Sequence, residues 1–184
     1  MSFVTTENIC PLTVIKASTW TKDRLGAVTY DDAGRTYQFV QMCGTQDNNA
    51  STGKALGWQT GTANSLNDYQ VGFSTAAGIS NMKFAGIFIA KSNADIGQKF
   101  WIMTRGTLGQ VPKSKYKSAQ TPLTVFVCTH TAITSGDYLL FSATNGYLAS
   151  ANLTNSASRI VGQSDSVDTG QKAVRGWIAA PFSR

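Results

Sequence analysis

Apolar positions recur along the chain in short runs, and polar, glycine-bearing turns separate them. The clearest alternation follows the turn signal Asp31-Asp32-Ala33-Gly34. There Tyr37, Phe39 and Gln41 interleave with Gln38, Val40 and Met42, the period-two pattern of a strand with two faces. Phe84 to Ala90 is a continuous apolar strand, and Ile96-Gly97-Gln98-Lys99 leads into Phe100-Trp101-Ile102-Met103, which stops at Arg105-Gly106. Leu123 to Cys128 reads as another strand. Ser135-Gly136-Asp137 leads into Tyr138 to Phe141, ended by Asn145-Gly146; Ile160-Val161-Gly162 is a short strand. Thr169-Gly170-Gln171-Lys172 opens the last strand, Val174 to Ala180. The units form a weak internal repeat, and Gly97-Gln98-Lys99 and Gly170-Gln171-Lys172 even share letters. Short strands at this spacing predict an all-β, mainly antiparallel fold, a small β-barrel or β-sandwich.

Two stretches break the pattern. Residues 1–24 are largely unpatterned, with Thr13-Val14-Ile15 as a strand candidate, and are expected to form an extended N-terminal arm, or a strand added to a neighbour's sheet edge, with Phe3, Ile9 and Trp20 as apolar anchors. Residues 25–184 are then a single β-rich domain. Within it, residues 44–82 are a polar, loop-rich insert where Gly44, Gly53, Gly57 and Gly61 interrupt any long element. A long loop is expected there, with a short helix near Ala63 to Tyr69 and Trp58 as its anchor.

Composition strengthens the β reading. Glu occurs once, at Glu7, whereas a helical protein uses such straight-chain residues freely. Charged residues make up 14% of the 184, so Ser, Thr, Asn and Gln must solubilise the surface. The net charge of +6 comes mostly from scattered single residues. Lys113, Lys115 and Lys117, with Tyr116 among them, form the one cluster. Cys10, Cys43 and Cys128 are odd in number and far apart, which argues for free thiols in a reducing cytoplasm. The N-terminus lacks a basic region followed by an apolar one, so no secretory signal is expected. The longest apolar runs are too short to span a bilayer.

The sequence offers catalysis little to use. The sole histidine, His130, lies two residues from Cys128. A Cys–His dyad would make a thiolate nucleophile, but neighbours at that spacing on a strand rarely aim at each other. One His and no CxxC pair argue against a metal site, and no cofactor is expected. Asp31-Asp32 reads as a turn, and no two carboxylates are singled out as a glycosidase pair. Gly53-Lys54 fails as a phosphate loop because Ala55 and Asn48 stand where a hydroxyl and a glycine are needed. The Lys113–Lys117 cluster with Tyr116 fits a solvated loop or an acidic partner protein better than nucleic acid, since so few charges neutralise few phosphates.

A spaced set of motifs resembles one family. Gly34-Arg35-Thr36-Tyr37-Gln38-Phe39-Val40, Ala85-Gly86-Ile87, Gly97-Gln98-Lys99-Phe100-Trp101-Ile102 with Arg105-Gly106, Ala132 to Leu139, and Arg159-Ile160-Val161-Gly162 are similar to units of bacteriophage head decoration, or cement, proteins. The resemblance spans about residues 25–180. It implies a non-enzymatic structural protein of the virion, made in the host cytoplasm. Such a protein binds the major capsid protein on the outer surface of an assembled capsid, stabilises it, and forms a homo-oligomer, a trimer being favoured. No membrane or nucleic-acid partner is implied. A carbohydrate- or receptor-binding module of a head or tail fibre is the alternative, with Trp58, Tyr69 or Tyr147 available to stack on sugar rings. A hydrolase on Cys43 or Cys128 with His130 is the third.

Overall fold

A computed structural model describes residues 25–31, 33–43, 51–59, 69–73, 82–90, 93–110, 124–130, 132–141, 146–151, 160–165 and 172–180. The described residues are strands and turns, as the patterning predicts. Five strands close a barrel: β2 (Thr36–Met42), β3 (Ala55–Trp58), β4 (Gln70–Gly72), β5 (Phe84–Phe88) and β6 (Lys99–Thr107). They pair in the order β2-β4-β3-β5-β6, and a further β2–β6 pairing closes the ring. β1 (Val28–Tyr30) adds to β2 from outside.

β6 is long enough to serve two layers. Its first half pairs with β2 and β5, and its last residues, Arg105 to Thr107, pair with β14 (Gly176–Ala179). From β14 the sheet runs on through β12 (Ile160–Ser164) and β10 (Tyr138–Phe141) to β11 (Leu148–Ala151). The run expected from Leu123 to Cys128 is divided. β8 (Thr124–Val125) pairs with β7 (Gly109–Gln110), and β9 (Val127–Cys128) pairs with β13 (Lys172–Ala173).

The two layers explain why the central strands are apolar on both faces. Val40, Met42, Leu56, Val71, Ala85, Phe88, Phe100 and Ile102 form one buried cluster, capped by half-buried Trp58, Tyr69 and Phe73. Tyr37, Phe39, Phe84, Ile87, Trp101 and Met103, on the opposite face of the same strands, pack against Leu139, Phe141, Leu148, Val161 and Ile178. Ring pairs occur in both clusters: Phe88–Phe100 at 4.8 Å, Phe39–Trp101 at 5.2 Å and Phe84–Phe141 at 5.5 Å. A strand with a core on each side has no polar face to show, so its sequence runs apolar without alternation.

The stretch expected as a long loop therefore contributes β3 and β4 to the barrel wall. Gly57 and Gly72 serve close contact. A Cβ on Gly57 would stand 2.8 Å from the Phe141 ring, and Gly57 pairs directly with Gly72 across the strands. Tyr69 sits in a turn; residues 63–68 of the expected helix lie outside the described residues.

Two turns of the internal repeat have a structural counterpart, while Gly170 and Gln171 lie outside the described residues. Asp95-Ile96-Gly97-Gln98 and Thr134-Ser135-Gly136-Asp137 are equivalent turns, with positive φ at Gly97 (80°) and Gly136 (92°). The first residue's N–H donates to the fourth side chain in each, at 2.9 Å. Gly97 N donates to Met42 O (2.8 Å), Met42 N to Gln98 O (2.9 Å), and Gln41 Nε2 to Gly97 O (3.0 Å). In the second copy Gly136 N donates to Ser164 O (2.7 Å), Ser164 N to Asp137 O (2.9 Å), and Gln163 Nε2 to Gly136 O (3.1 Å). Each turn is thus clipped to a neighbouring strand by a Gln and the residue after it. β2 with β6 and β12 with β10 are two versions of one unit.

The Gly34-to-Val40 motif folds into a buried ionic clasp. Asp31 Oδ1 accepts from Ala33 N (3.0 Å) and Arg35 N (2.9 Å), and Oδ2 from Arg35 Nη1 (3.2 Å) and the Tyr37 hydroxyl (2.8 Å). Arg35 Nε donates to Thr107 O at 2.8 Å. Gly106, where φ is +133°, admits this side chain; a Cβ there would lie 2.8 Å from Arg35 Cγ. The motif thus ties the β1–β2 turn to β6.

Candidate binding face

Side chains alternate along a strand, and residues directly opposite on paired strands share a face. Ile178, on β14, is buried in the core between the layers, so Trp177 must point outward, and it is 41% exposed. The register carries this outward position across the sheet. Trp177 stands opposite Thr107 on one side and Gln163 on the other, and Gln163 stands opposite Tyr138. The result is a row, Thr107–Trp177–Gln163–Tyr138, spanning three strand spacings or about 14 Å. Thr107 is exposed; Gln163 and Tyr138 are half-buried.

The row has polar groups on both sides of the indole. Gln163 is held by its bond to Gly136 O, which leaves its amide oxygen to accept from a ligand. Arg105 lies two residues before Thr107 on β6, opposite Ala179, and is exposed. That places it diagonal to Trp177, at about 7–8 Å between backbones. Arg175, two residues before Trp177 in sequence, is also exposed. Half-buried Leu140 and Ile160, paired across β10 and β12, continue the surface. An amphipathic ring flanked by fixed hydrogen-bonding groups can take up a ligand with one apolar face and a polar rim.

The aromatics expected to stack on sugars are otherwise engaged. Trp58 and Tyr69 are half-buried against the barrel core, with rings 6.3 Å apart. Tyr147 is half-buried beneath Lys54, whose Nζ sits 3.2 Å from the ring centroid. Lys54, the remnant of the phosphate-loop match, is thus placed on an aromatic face. Phe3, Ile9, Trp20, Lys113, Lys115, Tyr116 and Lys117 lie outside the described residues. Trp177 was the aromatic to choose. In Gly176-Trp177-Ile178, two adjacent large apolar residues take opposite faces, and one must face out unless both sides of the strand are covered.

The cysteine dyad is not assembled as a nucleophile. Burial pushes the Cys128 thiol above its ordinary range, although Lys54 and Lys172 pull the other way. The thiol's hydrogen bond is a long one, 3.8 Å to Thr52 O. His130 is exposed, and its backbone N–H donates to Leu148 O at 2.9 Å. A raised pKa is the reverse of what a catalytic thiol needs. Cys43 and Cys128 are both free. Among the described residues, no three of His, Cys, Asp and Glu gather as metal ligands. No helix among them is long and apolar enough to cross a membrane.

No family model matches the chain, and no curated protein does. One solved structure is similar to it, the N base of the head fibre protein gp8.5 of bacteriophage phi29. The match has 12% identity and a TM-score of 0.45, and covers 82% of this chain and 99% of that one. A likeness of this size bears on neither function nor partner.

Proposed function

We propose that this chain is a non-enzymatic component of a phage virion surface that works as a carbohydrate- or receptor-binding module of a head or tail fibre. The observation that carries the binding role is the outward Trp177 in the row Thr107–Trp177–Gln163–Tyr138. An indole left 41% exposed on a strand, beside Gln163, whose amide is held by Gly136 O, suits recognition better than packing. The phage assignment is supported by the decoration-protein motifs from Gly34 to Gly162. The test is binding of fluorescently labelled protein to host cells or an array of their surface glycans. Binding should occur and should fall at least ten-fold in Trp177→Ala; no binding to any glycan or cell, or an unchanged Trp177→Ala, overturns the reading.

A second reading, decoration of an assembled capsid, is favoured by β1. This strand ends the sheet order and exposes Val28 (44%) and Tyr30 (68%), an edge suited to strand addition by a partner. On that reading the partner is the major capsid protein, residues 1–24 are an arm anchored through Phe3, Ile9 and Trp20, and Lys113, Lys115, Tyr116 and Lys117 face an acidic partner surface. A homotrimer is the assembly expected at a threefold lattice position. Co-sedimentation with purified capsids should survive Trp177→Ala and fail on deletion of residues 1–20. The opposite pattern overturns it.

A further inference from the structure

We propose that the ligand of the Trp177 face is an anionic saccharide, a sugar bearing a carboxylate or phosphate that Arg105 pairs while the ring stacks on Trp177. The proposal rests on the binding reading above and deepens it by naming the ligand's charge. Both arginines are exposed, and neither takes part in an ion pair among the described residues. Arg35, the third described guanidinium of the β2–β6–β14 region, is buried and ion-paired to Asp31. The acid nearest Arg175 is Asp165, whose backbone N–H donates to the Arg175 carbonyl at 3.1 Å; no ion pair joins their side chains.

The placement of the charges decides between ligands. Arg105 shares the outer face with Trp177, because its cross-strand partner Ala179 is two residues from Trp177 on β14. The guanidinium therefore reaches the rim of whatever lies flat on the indole. A planar fork of donors suits carboxylate or phosphate oxygens. Thr107 and Gln163, two strand spacings or about 10 Å apart on either side of Trp177, offer a hydroxyl and an amide to groups at opposite edges of the ligand. A neutral glycan would use the indole and the amide and leave Arg105 idle. Single-stranded nucleic acid would use stacking and charge, but it calls for a track of cations and several open aromatic faces. Among the described residues one indole is exposed, and Tyr138 is half-buried.

The test uses the full chain on an array carrying neutral, carboxylated and phosphorylated glycans of matched length, followed by titration with the best member of each class. Anionic glycans should bind at least ten-fold more tightly than neutral ones, and raising the salt should shrink that preference. Trp177→Ala should abolish binding to all classes. Arg105→Ala should erase the ten-fold preference for charge; a preference that survives Arg105→Ala overturns the proposal. Far-ultraviolet circular dichroism and the melting temperature confirm that each variant is folded. Two exposed side chains on an ordered sheet are removable without unfolding it. The carboxylated and phosphorylated arms tell the two sources of charge apart. Equal binding of neutral and anionic glycans, lost in Trp177→Ala, overturns this proposal while leaving the binding reading standing. No glycan binding at all overturns both. A single-stranded oligonucleotide that binds more tightly than every glycan, through the same residues, overturns it in favour of nucleic acid.

Discussion

Replacing Asp31 with Asn tests the buried clasp most directly. The carboxylate accepts four hydrogen bonds, two of them from backbone N–H groups and one from the Tyr37 hydroxyl. The fourth is from Arg35, whose side chain is 3% exposed while that of Asp31 is 13% exposed. Asp31→Asn keeps the shape but turns one acceptor into a donor facing two donors. Arg35 keeps its bond to Thr107 O but loses the carboxylate's charge. Breaking a buried ion pair on one side costs about 3–5 kcal/mol because the remaining charge stays buried. Water reaches the Asp31 side of this pair, so the lower end, about 3 kcal/mol, is expected. For a chain of this length, that corresponds to a fall in Tm of about 6–12 °C.

Arg35→Met removes the charge and keeps an apolar stem over Gly106, so it should cost less than Asp31→Asn. With the charge gone, adding Asp31→Asn should cost about 1 kcal/mol or less, leaving a coupling of about 2 kcal/mol in the double-mutant cycle. Urea unfolding at constant m-value measures all three variants. A loss below about 1 kcal/mol for Asp31→Asn, or additive effects, would refute the view that this motif is a buried charge clasp.

Gly136→Ala and Gly106→Ala separate backbone strain from steric cost. A Cβ at Gly136 meets nothing within 4 Å, so only its positive φ is taxed and about 1–2 kcal/mol should be lost. Gly106→Ala adds a clash with Arg35 and should lose clearly more in the same urea assay. Cys128 should resist alkylation in the native protein, with a pH midpoint above that of a free thiol, because burial raises its pKa; peptide mapping after iodoacetamide treatment reads this out. Its linkage runs the same way: the contribution to stability is full below the unfolded thiol pKa and is lost as pH rises through the folded value. Asp137 behaves oppositely. Burial pushes its carboxyl up, but the Thr134 N–H and the Ser150 and Thr134 hydroxyls outweigh that and hold it below the ordinary value. Its contribution is therefore present above the unfolded carboxylate pKa and lost as pH falls through the folded one. Ser150→Ala should therefore lower stability near neutral pH and leave it nearly unchanged at acid pH, which flattens the acid limb of a stability–pH curve.

The sequence by itself determined the strand content and most of the strand positions. Period-two alternation at Tyr37 to Met42 and apolar runs such as Phe84 to Phe88 and Phe100 to Met103 are local signals, and glycine turns mark their ends. It also determined the repeat, because a turn with positive φ at its third residue asks for Gly97 and Gly136 whatever surrounds it. The barrel was decided elsewhere. Ala55-Leu56-Gly57-Trp58 and Gln70-Val71-Gly72 carry no strand periodicity, and only pairing with β2, β5 and each other makes them wall. The candidate face was likewise a tertiary outcome. Trp58, Tyr69, Tyr147 and Trp177 are equally aromatic in the sequence, and which of them faces water depends on what packs against each strand. Three of them meet a core or a lysine, and the register of β14 between β6 and β12 turns the fourth outward, because a strand buried on one face alone must show its other residues to solvent.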